Sequence, residues 1–163
     1  MNSRFLITVY KLLPRPVIAT IVRMVKPTYP IGVVAVVFDE EKRILFLRHT
    51  YHEPAWRLPG GLMERGEDPA AVAVRELMEE ANCQIESLGV IDASHEAYTF
   101  DVVVLGRLVK EGPFEENAEI CDKAWLRFDE MPPLASRHLA FIERARAFLC
   151  WRDGQDAERE EYR

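Results

Sequence analysis

The sequence predicts an α/β fold, and three observations predict it. Runs rich in β-branched and aromatic residues begin at Ile31 and recur to Phe128, one strongly marked helix over Pro69–Ala81 interrupts them, and a second helical pattern follows over Arg137–Leu149. At 163 residues and 48% hydrophobic content the chain can bury one core and is short for two.

Residues 1–30 form a separate compositional block, with Arg4, Lys11, Arg15, Arg23 and Lys26 and no acidic residue. Apolar Phe5, Ile7, Tyr10, Leu12 and Leu13, then Val17, Ile18, Ile21, Val22 and Val25, recur near helical spacing, and Pro14 and Pro16 divide them into two short helices. Such an extension either packs on the domain or on a second subunit, as in a homodimer, or rests on an acidic membrane surface through residues 1–26. Packing is the commoner use of an apolar helix face.

From Ile31 to Phe38 the chain reads as a buried strand, Asp39–Lys42 as a turn and Arg43–Arg48 as the returning strand. His49–Leu58 has no clear period and leads into Pro59-Gly60-Gly61, a loop signal. The helix over Pro69–Ala81 has Asp68 as N-cap and Pro69 at its first position. Ala70, Ala73, Val74, Leu77 and Ala81 share its apolar side, and Glu76, Glu79 and Glu80 project from a neighbouring one. Asn82 takes the left-handed conformation that ends the helix, and Cys83–Ile91 and Tyr98–Val109 read as strands. Lys110–Ala118 reads as a loop, Cys121–Phe128 as a last strand and Arg137–Leu149 as a helix, before a charged segment, Arg152–Arg163, that is expected to fray. The expected organisation is an extension over 1–30, a domain over 31–150 and a flexible tail over 151–163.

The net charge is −6, and outside residues 1–30 the remaining 133 residues carry 16 basic against 27 acidic side chains. That excludes a protein that coats nucleic-acid polymers, since phosphate backbones are bound by clustered Lys and Arg. Any nucleotide partner is a small molecule reached through a metal. Cys83, Cys121 and Cys150 are odd in number and form no CxxC pair, which suits a reducing compartment. No apolar run approaches the ~20 residues that span a bilayer, so a soluble, cytoplasmic protein is expected.

Glu76, Glu79 and Glu80 stand at i, i+3 and i+4, which on a helix brings three carboxylates into one small region. Unneutralised they repel one another, and a hard divalent cation, which prefers carboxylate oxygen, removes that cost. Standing alone, the pattern is more often a solvated acidic face. The upstream sequence changes the balance. Gly61, Glu67, Arg75, Glu76, Leu77, Glu79 and Glu80, spread over the 23 residues from Gly61 to Cys83, match G-x5-E-x7-R-E-U-x-E-E-x-G-U, where U is aliphatic. In this the chain resembles the Nudix hydrolases. Asn82 replaces the glycine of that pattern and Cys83 its last aliphatic residue. Asn is the next-best left-handed residue after Gly, and a buried Cys behaves as a small hydrophobe.

The resemblance covers about Ile31–Leu149 and implies an α/β/α sandwich with a mixed sheet, preceded here by an N-terminal helical extension. It implies Mg²⁺, with Mn²⁺ as a substitute, held by Glu76, Glu79, Glu80 and the carbonyl of Gly60. Arg75 and Glu67 are implied to support these ligands, with Glu67 near a second metal. The implied reaction is attack of water on a diphosphate linkage in a nucleoside diphosphate derivative, of ADP-ribose or nucleotide-sugar type at first guess. Dinucleoside polyphosphates and nucleoside triphosphates are the alternatives.

A general base is also required. Glu115, Glu116 and Glu119 are candidates, and Glu119, six residues before Trp125, best resembles the usual position. For substrate contacts Trp56, Arg57, Arg48 and Tyr98 are named, with Trp56 foremost because a large aromatic between Pro54 and Pro59 fits no core period. Two rivals share the scaffold. A pure nucleotide-binding module has no need of so many like charges at one place. An isomerase of isopentenyl diphosphate type needs a Cys and Glu pair in the cleft.

Overall fold

The computed structural model describes residues 13–25, 29–96 and 98–161. The first of the two expected N-terminal helices falls on residues 1–12 and lies outside them. The second is helix α1, Arg15–Val25, with the amides of Val17 and Ile18 donating to Pro14 O at 3.0 and 3.2 Å. Its apolar face is not covered by the domain. Val17, Ile21 and Val22 are 41–48% exposed and Met24 and Val25 more so.

The domain is built on strands β1 (Ile31–Phe38), β2 (Ile44–His49), β3 (Trp56–Arg57), β4 (Gly60–Leu62), β5 (Cys83–Glu96), β6 (Thr99–Glu111) and β7 (Ile120–Leu126). They form one seven-stranded mixed sheet. β1 runs parallel to β6 from Ile31↔Phe100 to Phe38↔Arg107, and the other pairings are antiparallel. Helix α2 (Pro69–Ala81) lies on one face and α3 (Ser136–Glu161) on the other.

Strand alternation explains the two faces. Val33, Ala35, Val37, Leu45, Leu47 and Val104 pack with Val72, Ala73, Leu77 and Ala81 of α2. Their neighbours in sequence, Val36, Ile44, Phe46, Val103 and Leu105, pack with Phe141, Ile142 and Ala145 of α3. Strands buried on both sides read as continuous apolar runs, as β1 does.

α2 starts and ends where its local signals place it. Asp68 accepts from Ala70 N at 2.9 Å with Pro69 at the start, and Asn82 closes the helix at φ 50, ψ 42. Asn82 does more than a glycine would, because its Nδ2 donates to Pro113 O at 3.0 Å and ties the loop after β6 to the helix end. Cys83 is fully buried in the α2-side core. One detail differs from the expected apolar side. Val72 is fully buried whereas Ala70 is only half-buried, so the helix is rotated toward the side that carries Glu76, four residues on.

The strands β5 and β6 extend to Glu96 and Glu111, beyond the expected Ile91 and Val109, because each completes the other's ladder out to Glu96↔Thr99. α3 runs to Glu161 rather than stopping near Leu149. Its Arg, Glu and Ala residues favour helix, so the charged segment prolongs the turn pattern instead of breaking it. Among the described residues no helix is long and apolar enough to cross a membrane.

Candidate active site

The carboxylates are positioned by two glycines. Gly60, at φ +150, and Gly61 let β4 lie against β1, where Val33↔Gly61 and Val34↔Gly60 are paired. A Cβ at Gly60 would overlap the carbonyl of Val33, and one at Gly61 would overlap the Glu76 carboxylate. Glu76 therefore reaches the strand because no side chain stands in its way.

Arg75 organises the cluster. Its Nε and Nη2 grip both oxygens of Glu67 at 3.1 and 3.2 Å, and its Nη1 donates to Glu76 Oε1 at 2.7 Å and Glu79 Oε2 at 3.4 Å. Glu67 also accepts from the amide of Glu64 at 2.7 Å, and its carboxyl is held below the usual range chiefly by the Arg75 hydrogen bonds. With both oxygens engaged, Glu67 serves Arg75. Glu80 turns the other way and accepts from Gly60 N through Oε2 at 3.1 Å. Burial pushes its carboxyl up to about 7 against that hydrogen bond, and the charges of Glu76, Glu119 and Glu79 add to the rise.

Among the described residues no three acidic, His or Cys side chains converge on one point. Arg75 draws Glu76 and Glu79 to one side while Glu80 faces the Gly60 peptide. Each of these bonds uses one oxygen of its carboxylate, so Glu76 Oε2, Glu79 Oε1 and Glu80 Oε1 have no protein partner among the described residues. Oxygen-only donors of this kind are those a hard divalent cation takes.

These residues form one wall of a cleft of about 660 Å³. Glu76, Glu80, Gly60 and Glu119 line it, and Arg75 closes its edge. Glu79 does not line it and stands exposed beside the loop that holds Glu115. Across the cleft are His49, His52, Arg57, Asp101 and Arg137. Burial, then His52 and Arg57, pull the imidazole of His49 down to about 4, so it is neutral at physiological pH. Its Nδ1 is buried without a partner. His138 is 2% exposed behind this wall, and its Nδ1 accepts from Leu58 N at 3.1 Å, which ties α3 to the strand leading into Gly60.

The expected substrate residues are divided by the structure. Arg57 lines the cleft, and Tyr98 lines a second hollow that shares Arg57 with it. Trp56 packs instead into the α3-side core. The residue that fitted no core period is half-buried against that core, on a strand only two residues long. Arg48 is also outside the cleft. It pairs with Trp56 and Asp122 on neighbouring strands and is exposed, with the β2–β7 register shifting between it and His49.

Asp101 and Arg137 were not singled out in the sequence. Asp101 is 5% exposed at the start of β6, where a Cβ at Gly32 would meet its Oδ1 at 2.6 Å. A glycine inside a strand is the signal for such a close approach. Arg137 had none, since a basic residue opening a helix is common. No cysteine lines the cleft among the described residues, so the pair an isomerase of this scaffold needs is not there.

A helix bearing clustered carboxylates, packed on a mixed sheet and bordering a cleft beside a two-glycine strand, is the arrangement that the sequence pattern led us to expect. The NUDIX domain family model matches residues 28–145, and the chain belongs to that family. A CMP-5'-(N-acetyl-N-hydroxy-3-aminopropyl)phosphonate hydrolase of Streptomyces rubellomurinus is 33% identical over 118 residues, 64% of this chain and 55% of that protein. The chain thus spans little more than half the length of that curated relative. An ADP-ribose pyrophosphatase of Streptococcus suis is 25% identical with a TM-score of 0.61, covering 74% of this chain and 92% of that one. The NUDIX domain of Shewanella oneidensis NrtR, solved with ADP ribose, shares the fold at 22% identity and a TM-score of 0.63, over 85% and 99% of the two chains.

Proposed function

We propose that the protein is a divalent-metal-dependent hydrolase that cuts a diphosphate-type linkage between a nucleoside phosphate and a second group. The observation that carries this reading is the pair of unpartnered oxygens on Glu76 and Glu80, lining a cleft of substrate size beside the Gly60 peptide, with that of Glu79 one turn away at its margin. These residues, with the Gly60 carbonyl, would hold Mg²⁺ or Mn²⁺. A cation bound there would neutralise charge on the linkage and lower the pKa of water.

The chain's own residues do the rest. Arg75 fixes the orientation of Glu76 and Glu79 through Nη1 and is itself held by Glu67. Glu119 lines the cleft close enough for its charge to act on Glu80, and it takes the proton from the attacking water. Arg57, which also lines the cleft, is left to bind the substrate away from the linkage. An ADP-ribose-like or CMP-linked compound is the first substrate class, supported by the printed names of the Streptococcus and Streptomyces relatives.

The test is release of nucleoside monophosphate from ADP-ribose, nucleotide sugars, CMP-linked phosphonates, dinucleoside polyphosphates and nucleoside triphosphates, with and without Mg²⁺. Metal-dependent turnover of one class, lost in Glu79→Gln, is expected. Tight binding without turnover of any of them would overturn hydrolysis in favour of a binding module.

A further inference from the structure

The cleft has a second pole that the reaction above does not require. Arg57 and Arg137 line both the cleft and the adjoining hollow of about 380 Å³, so they stand on the boundary between the two. Arg57 is half-buried and makes no side-chain hydrogen bond or ion pair among the described residues. Arg137 reaches only Asp101, at 3.5 Å, the outer limit of a hydrogen bond. Elsewhere in the molecule comparable cations are tightly held. Lys123 lies 2.7 Å from Glu111, Arg43 2.6 Å from Asp39 and Arg75 2.7 Å from Glu76.

Two guanidiniums that repel each other, with only Arg137 at the limit of reach of the one carboxylate beside them, are costly unless an anion completes them. The surroundings add no competing positive charge, because burial and the two arginines keep His52 and His138 neutral. They add donors instead. Ser136 opens α3 in the adjoining hollow, so the first amides of a 26-residue helix face the same space. The acidic lining residue of that hollow, Glu53, is exposed to solvent.

We infer that Arg57 and Arg137 form an anion subsite that holds a phosphate group of the ligand lying beyond the linkage that is cut. Resting on the hydrolase reading, this narrows the substrate class to compounds with a phosphate besides the two joined at that linkage. The phosphate is either a monoester on the far group or the end of a longer polyphosphate chain.

Inorganic phosphate is the first probe, titrated into the full chain in EDTA and followed by proton–nitrogen correlation spectra. Saturable shifts are expected at the amides of Arg57, Thr99, Ser136 and Arg137. They should vanish in the Arg57→Gln/Arg137→Gln double variant and persist in the Arg57→Lys/Arg137→Lys double variant, which keeps the charge should the Gln variant fold poorly. Shifts confined to other residues, or none, would overturn the subsite. Calorimetry in EDTA then compares ADP-ribose, its counterpart phosphorylated on the far ribose, and ATP. The Gln variant should lose at least about tenfold of the preference for one of the two phosphate-richer ligands over ADP-ribose, and which one identifies the source of the phosphate. Equal loss for all three would overturn the assignment. Phosphate binding here with no turnover in the substrate panel would sink hydrolysis and leave the subsite standing. Turnover without phosphate binding would do the reverse.

Discussion

The two walls of the cleft are assembled in opposite ways. The carboxylate wall comes from one helix and the strand beside it, with Glu76 and Glu80 a turn apart, Glu79 just outside the cleft, and Arg75 and Glu67 in the same short stretch. The cationic wall takes Arg57 from β3, Asp101 from β6 and Arg137 from α3, and they meet only because the sheet and its second helix pack. Charge is handled differently too. On the first wall an internal arginine is shared among three carboxylates, whereas on the second two arginines have one carboxylate near them, and only Arg137 reaches it.

If the first wall is the reactive one, its substitutions should dominate activity. Glu80→Gln is expected to lower kcat by about 100- to 1000-fold, the usual cost of removing one preorganised electrostatic group, measured with the best substrate of the panel at saturating Mg²⁺. Substitution of Arg57 should fall mainly on KM, because it binds without taking part in bond cleavage. A larger kcat effect at Arg57 than at Glu80 would invert the assignment of the two walls.

The same contrast explains what was legible in the sequence. Helix α2, its caps and the hairpin of β1 and β2 depend on residues close in sequence, so local patterns place them, and the carboxylate cluster is legible as a site through the pattern it shares with the Nudix hydrolases. Trp56 shows the limit. Its setting between prolines suggests a loop aromatic available for stacking, yet it is half-buried against the α3-side core. Nothing local shows which face a two-residue strand will present. Asp101 and Arg137 lie 36 positions apart, and no pattern on one sequence links them. Trp56→Ala should therefore cost about 2–4 kcal/mol of stability in denaturant unfolding, as large-to-small core changes do, with little change in KM. A KM rise without loss of stability would return Trp56 to the ligand.

The two walls should also titrate against each other. In the folded protein the Glu80 carboxyl holds its proton up to about 7 rather than 4.5. Between those values the folded state binds more protons than the unfolded, so this group erodes stability as pH rises. His138 moves the opposite way, from 6.5 down to about 3, because burial disfavours the imidazolium. There the unfolded state binds more protons, and stability is lost as pH falls below 6.5. Melting curves in EDTA should show Glu80→Gln gaining on wild type from pH 4.5 to 7. His138→Gln, which keeps an acceptor for Leu58 N, should gain as pH falls from 6.5 to 4. Each difference should be about 2–4 °C per kcal/mol involved. Parallel curves for either variant would show that its group ionises at the ordinary value. Addition of Mg²⁺ should abolish the Glu80 slope and leave that of His138 unchanged, since a cation can replace the proton on a buried carboxylate but has no counterpart at an imidazole already satisfied by a backbone amide.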